Sequence, residues 1–365
     1  MIKNCYIHIP FCEKICSYCD FCKMYYKEEY VDKYLDALEQ EINNIYKYEE
    51  LETIYVGGGT PSCLNVKQLD RLFKILSKLN KTEKIEYTIE GNFSSTTKEK
   101  LLLYKKYGIN RLSLGIESIN KDNLDFLERD SKKEDIIEKI KLMKNLGFNN
   151  INVDLIYAIP NETLDILKED IDFILSLDIE HISTYSLIIE KNTKLYINKI
   201  KNISEDLDYS MYNLIVNVLK ESNYIHYEIS NFAKKGFESK HNNCYWKNKE
   251  YYGFGLGASS YLNDKRITNT RSISNYLKKK YILEVEHLSK NDIEEYEVIL
   301  GLRLLKGINL KEYKEKFNIE LISKYNYREL VEEGLLELKD NHLFIPKDKI
   351  YISNEIIVRL LEKEV

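Results

Sequence analysis

The sequence predicts an α/β fold: an open, partial barrel of six βα units followed by a C-terminal helical, winged-helix-like module. Through the first half, short β-branched runs alternate with longer amphipathic ones, the pattern of repeated βα units and a parallel sheet. Six such units are too few to close an eight-fold barrel, so the sheet stays open. The residues after about 290 read instead as helices with one hairpin, the make-up of a helical module with a two-stranded wing.

Taken in order, strands are expected over 5–9, 53–56, 85–89, 111–114, 152–157 and 181–188, each a short run rich in Ile, Val, Leu, Thr or Tyr. Helices are expected between them over 30–46, 66–78, 97–107, 133–146 and 164–177. In such sheets ligands sit at the carboxyl ends of the strands, so the strand ends are where chemistry is sought. From about Asp206 a long helix follows, then a Gly- and aromatic-rich stretch over 227–262. That stretch is too long and aperiodic for an ordinary connection and is expected to be functional. Three units result: a barrel core over 1–225, an irregular connecting region over 226–285, and the terminal module over 286–365. The module is expected to hold helices over 292–305, 310–317 and 321–333, then Gly334, a hairpin around 339–342 and a final helix.

A net charge of −5 and a pI near 5.9 leave no field to gather nucleic acid or anionic lipid. The terminal module is therefore read as a structural or protein-docking unit. No run is long and apolar enough to span a membrane, and the first residues lack a signal-peptide pattern. A cytoplasmic protein is expected. Seven cysteines, four of them crowded between 12 and 22, suit a reducing compartment and metal ligation better than a disulfide framework.

The crowded cysteines begin as Cys12-x-x-x-Cys16-x-x-Cys19, just past the first strand. Three thiolates can hold three irons of a [4Fe–4S] cluster and leave the fourth open, whereas an electron-transfer cluster normally takes four. The competing reading is a zinc knot, since Cys22 brings four cysteines within eleven residues. Structural zinc sites usually separate two ligand pairs by about a dozen residues or more, which this loop does not do. Cys22 is either a fourth cluster ligand, closing the open iron, or a neighbouring thiol that binds nothing.

Gly57-Gly58-Gly59-Thr60-Pro61 ends the second strand. Glycines there allow close backbone approach to a ligand and expose N–H groups, the alternative being a tight turn. Glu90, Asn92, Glu117, Arg129 and Asp154 stand at or beyond further strand ends. Carboxylates so placed can accept from ribose hydroxyls and an arginine can grip a carboxylate, although taken singly each is more often a solvated loop charge. In the irregular stretch, His241-Asn-Asn-Cys244-Tyr245-Trp246 holds the only tryptophan. It reads either as an axial haem ligand with aromatics for the macrocycle, Cys244 being a second candidate, or as a loop histidine among core aromatics.

The cysteine triad with the Gly run one βα unit later resembles the radical-SAM superfamily. In those proteins S-adenosylmethionine (SAM) chelates the open iron, and one-electron cleavage of its sulfonium yields a 5′-deoxyadenosyl radical. Together with Tyr6-Ile-His-Ile-Pro-Phe-Cys12, Tyr18 before Cys19, Arg111-Leu-Ser-Leu-Gly115, Asp154-Leu-Ile-Tyr157 and Tyr227-Glu-Ile-Ser-Asn-Phe232, these motifs resemble the oxygen-independent coproporphyrinogen III oxidase superfamily. The resemblance covers nearly the whole length, terminal module included. Within it, His241-Asn-x-x-Tyr-Trp246 is similar to the signature of the HemW-type haem chaperones.

The resemblance implies a partial radical-SAM barrel, a [4Fe–4S] cluster on Cys12, Cys16 and Cys19, SAM, and haem carried to apo-proteins of the respiratory chain. Around SAM it places Tyr6, Tyr18, Gly58, Gly59, Thr60, Glu90, Glu117, Arg129 and Asp154, with Ala258 and Ser259. His241 is implied for haem, within the connecting region. Departures from the oxidases are a start only eleven residues before Cys12, Phe21 where they carry a further cysteine, Glu117 for glutamine and Ala158 for glycine. A carboxylate at Glu117 would repel the carboxylate of a second SAM, so one molecule is expected. The alternative readings are the oxidase itself, another radical-SAM tetrapyrrole enzyme, or a protein that keeps its cluster only for folding. A homodimer is left open.

Overall fold

The computed structural model describes residues 1–325 and 327–362. Six parallel strands form its centre: β1 (Asn4–Ile9), β2 (Leu51–Gly58), β3 (Lys81–Asn92), β4 (Arg111–Glu117), β5 (Ile151–Tyr157) and β6 (His181–Ser186). They lie side by side in chain order, each paired in parallel with the next. Helices Glu28–Ile45, Val66–Leu76, Lys98–Lys106, Lys133–Asn145 and Leu164–Ser176 connect them. Their starts are set locally: Asn65 and Gln68 form a reciprocal capping box, and Thr97 and Thr163 cap theirs with side-chain oxygens.

Successive side chains of a strand point to opposite faces. In β1, Cys5, Ile7 and Ile9 are all 0% exposed and join the apolar core, while Asn4, Tyr6 and His8 face the lumen. The lumen is polar throughout, lined also by Thr53, Tyr55, Glu86, Glu90, Arg111, Asn152, Asp154 and His181. This is why the strands alternate instead of running continuously apolar, as strands of a two-sided buried sheet do.

The expected boundary at 225 does not hold. Tyr252–Phe254 pairs in parallel with the outer edge of β1, Asn231–Ala233 adds antiparallel to β6, and Ile225–Glu228 pairs with Asn231–Ala233. The region 226–285 is thus part of the barrel sheet, made nine-stranded and open, plus a small antiparallel sheet of Ser259–Leu262, Lys265–Asn269 and Ile282–His287. Beyond it, helices Lys290–Gly301, Leu310–Phe317 and Ser353–Leu361 accompany a three-stranded sheet. Its hairpin, Glu337–Lys339 with His342–Phe344, is the expected wing, and Ile308–Asn309 is the third strand. The helix expected over 321–333 is broken into Leu321–Lys324 and Tyr327–Glu332. Among the described residues, no helix is long and apolar enough to cross a membrane.

Candidate functional site

The cysteine loop leaves the carboxyl end of β1 and returns beside its own start, because Phe11–Cys12 pairs with Met24–Tyr25. Ser17 ties the loop across the barrel, its hydroxyl donating to the Phe126 carbonyl at 2.8 Å. Cys12, Cys16 and Cys19 line one cavity of about 450 Å³ at the carboxyl ends of the strands, all as free thiols. Among the described residues no three His, Cys, Asp or Glu side chains converge tightly enough for a single metal ion. The three thiols stand instead around the wall of the shared cavity. Burial pushes the Cys12 thiol up to about 11, outweighing the hydrogen bond from Thr60 and the charge of Lys23. Cys22 is outside the wall the three share: it backs onto Gly257 and lines a neighbouring cavity with Arg271.

The Gly run completes that wall, and two of its glycines are required by space. Gly58 has φ +116°, and a Cβ there would lie 2.6 Å from the His8 ring. A Cβ on Gly59 would come within 2.8 Å of the Phe11 carbonyl oxygen and 2.9 Å of Cys12 Sγ. Glu90 braces the run, one carboxylate oxygen accepting from the Gly58 N–H at 3.0 Å and the other from the Tyr55 hydroxyl at 2.7 Å. Burial pushes the Glu90 carboxyl up to about 7.

Arg129 spans the same cavity. It donates to Asn92 Oδ1 at 3.1 Å and to the Gly115 carbonyl at 3.2 Å, and pairs with Glu117 at 2.8 Å. Its Nε is buried with no partner. The Glu117 charge is therefore answered by Arg129. Tyr18 reaches Glu117 from the cysteine loop at 3.4 Å, and Asp154, whose carboxyl is raised by burial, accepts from Asn152 at 2.8 Å. Ala158 sits at φ +62°, a conformation that glycine adopts freely and that costs an L-residue about 1 kcal/mol.

Tyr18, Gly58, Gly59, Thr60, Glu90, Glu117, Arg129 and Asp154 thus share the cavity with the three cysteines. Tyr6 stands behind it, its hydroxyl donating to His8 Nδ1 at 3.0 Å. Ala258 and Ser259 are not on its wall; Ala258 is buried and Ser259 opens the small sheet.

His241 lies in helix Lys240–Trp246 at the amino-terminal ends of β1 to β3, opposite the cysteine loop, and is 1% exposed. The Thr53 hydroxyl donates to Asn4 Oδ1 at 3.0 Å, so it accepts from His241 Nδ1–H at 2.7 Å. That leaves the Nε2 lone pair to accept from the Tyr245 hydroxyl at 2.8 Å. Neutral imidazole has one lone pair to offer a metal, and here it is taken. Burial lowers the ring to about 3. Cys244, 3% exposed, is sealed in the same way. Sequence reasoning left Tyr55 and Arg111 without roles; Tyr55 shares the lumen face with Thr53 and Gly57, a period-two signal that could have placed it.

Residues 6–174 match the Radical SAM superfamily and residues 288–347 the HemN C-terminal domain. A solved Escherichia coli coproporphyrinogen III oxidase, HemN, superposes with a TM-score of 0.86 over 98% of this chain and 90% of that one, at 22% identity, which establishes the shared fold. Fold, thiol-lined cavity and glycine run together define a radical-SAM protein with a HemN-type terminal domain. A Bacillus subtilis (strain 168) relative named "Heme chaperone HemW" is 36% identical over 97% of this chain and 98% of its own length. Another so named, from Lactococcus lactis subsp. lactis, is 39% identical over 84% and 83%. The chain belongs to the haem chaperone HemW family.

Proposed function

We propose that this protein binds haem and delivers it to apo-proteins, those of the respiratory chain among them, from the cytoplasm, on a core that holds a [4Fe–4S] cluster and SAM. The observation that carries this reading is the end-to-end likeness to relatives named as haem chaperones. Cys12, Cys16 and Cys19 are the cluster ligands and Cys22 is not one. When bound, cluster and SAM together supply one-electron chemistry. Around them the Gly58 and Gly59 backbone admits the methionine head group, Glu90 and Asp154 accept from its amino group and ribose, and Arg129 Nε donates to its carboxylate. Haem is held away from His241, whose lone pair is taken. Phe21 and Ile188, 65% and 63% exposed, stand at the cavity mouth and offer an apolar macrocycle its surface.

The test is to offer cluster-loaded protein, SAM and a reductant either haem or coproporphyrinogen III, following the Soret band and decarboxylated product respectively. A stoichiometric haem spectrum without turnover is expected, and His241→Ala should keep it. Multiple turnovers of coproporphyrinogen would establish the oxidase in its place.

A further inference from the structure

The signature helix Lys240–Trp246 is left without a task by the haem reading, yet a continuous line of contacts runs from it through the lumen to the far end of the barrel. The His241 ring stacks on Tyr55 with centroids 5.1 Å apart and planes at 27°. The Tyr55 hydroxyl donates to Glu90 at 2.7 Å, and the other Glu90 oxygen accepts from the Gly58 N–H at 3.0 Å. Tyr55 also stacks on Tyr6 at 6.1 Å, Tyr6 meets His8 Nδ1 at 3.0 Å, and His8 Nε2–H donates to the Cys22 carbonyl at 2.6 Å. One tyrosine ring thus lies between the helix on one side and both the glycine run and the cysteine loop on the other.

The helix is itself fixed to the barrel floor. The backbone N–H groups of Lys240 and His241 donate to the Glu86 carboxylate at 3.0 and 2.9 Å, and both His241 nitrogens are engaged. A ring held at two nitrogens is a rigid plate, and a phenol stacked on it keeps its rotamer. The hydroxyl at the other end of that phenol is then aimed at Glu90 before any ligand arrives.

We propose that His241 is a positioning residue for the SAM site: by stacking on Tyr55 it holds the Tyr55 hydroxyl, and through it Glu90 and the Gly58 amide, where they grip the methionine head group. This rests on the reading of the cavity as a SAM site. It gives the signature helix a task in preorganising the cofactor pocket from the opposite end of the barrel, without contact to SAM or haem.

The experiment is calorimetric SAM titration of cluster-reconstituted protein, with iron content and the electron paramagnetic resonance shift of the reduced cluster on SAM addition as companions. Tyr55→Phe and His241→Ala should each weaken SAM about tenfold, ~1.4 kcal/mol, at unchanged iron content. Acting on one line, the two should not add in the double variant. Trp246→Phe, on the same helix and facing Arg303 of the terminal module, should leave SAM affinity unchanged. Wild-type affinity in Tyr55→Phe, additive losses, or SAM losses that merely track lost cluster would each overturn the proposal. Tyr55→Phe decides alone should His241→Ala fail to fold. Wild-type protein that takes up no SAM would instead overturn the reading of the cavity itself.

Discussion

Arg129 and Glu117 face each other at 2.8 Å in the cavity wall, with 11% and 8% of their side chains exposed. Their pairing joins the end of β4 to the turn after helix Lys121–Leu127, and so fixes one side of the cavity. Removing one partner of a buried pair leaves the other charge uncompensated, at a cost of about 3–5 kcal/mol. Arg129→Met should therefore lower unfolding stability by roughly that amount, and adding Glu117→Gln should restore most of it. Denaturant unfolding of the single and double variants measures this; a single variant as stable as wild type would mean the pair is not buried in solution.

Anaerobically reconstituted protein should hold about four irons and four sulfides per chain. Alanine at Cys12, Cys16 or Cys19 should abolish the cluster, while Cys22→Ala should keep both cluster and SAM binding. Iron and sulfide analysis with visible spectra decides, and cluster loss in the Cys22 variant would make that thiol a ligand.

Gly59→Ala should reduce cluster occupancy, because the added methyl would sit 2.9 Å from Cys12 Sγ and 2.8 Å from the Phe11 carbonyl. Gly108→Ala, at a helix end where an added Cβ meets nothing within 4 Å, should not. Equal iron content in the two variants would reduce the glycine run to an ordinary turn.

Glu90 gives stability a pH dependence of definite sign. Its carboxyl is raised to about 7 by burial, against about 4.3 in an unfolded chain. A raised acid contributes stability that is complete below about pH 4.3 and is lost as pH climbs through the folded value near 7. Glu90→Gln, which cannot ionise, should lose less stability than wild type between about pH 5 and 8. Parallel pH profiles for the two proteins would show that Glu90 is already ionised at the lower limit.

The barrel was legible where one local signal sufficed. The helix over 310–317 was placed to the residue, since Leu310–Phe317 is amphipathic between Asn309 and Asn318, and the six strands were found because each is a short run with apolar side chains set off from the amphipathic helices around it. Tyr252–Phe254 was not legible: three residues in a Gly- and aromatic-rich stretch have no period to read, and only the free edge of β1 makes them a strand. The strand ends pointed to the cavity because parallel sheets bind there, yet the pairing of Glu117 with Arg129 needed the fold to bring two loops together. The surroundings of His241 were hidden for a related reason. Its neighbours Tyr245 and Trp246 suited a macrocycle by type, but its burial is decided by Thr53, Tyr55 and Glu86, far away in the chain.

The late strand Tyr252–Phe254 has a consequence for how the protein is made. Until the ribosome has delivered it, the outer edge of β1 is a row of unsatisfied N–H and C=O groups, and pairings between such distant segments form slowly. The cysteine loop hangs from that same strand. Iron and sulfide supplied before that strand is made would meet thiols on a pocket with one wall missing, so loading belongs after it, when the last-made part of the sheet has braced the first.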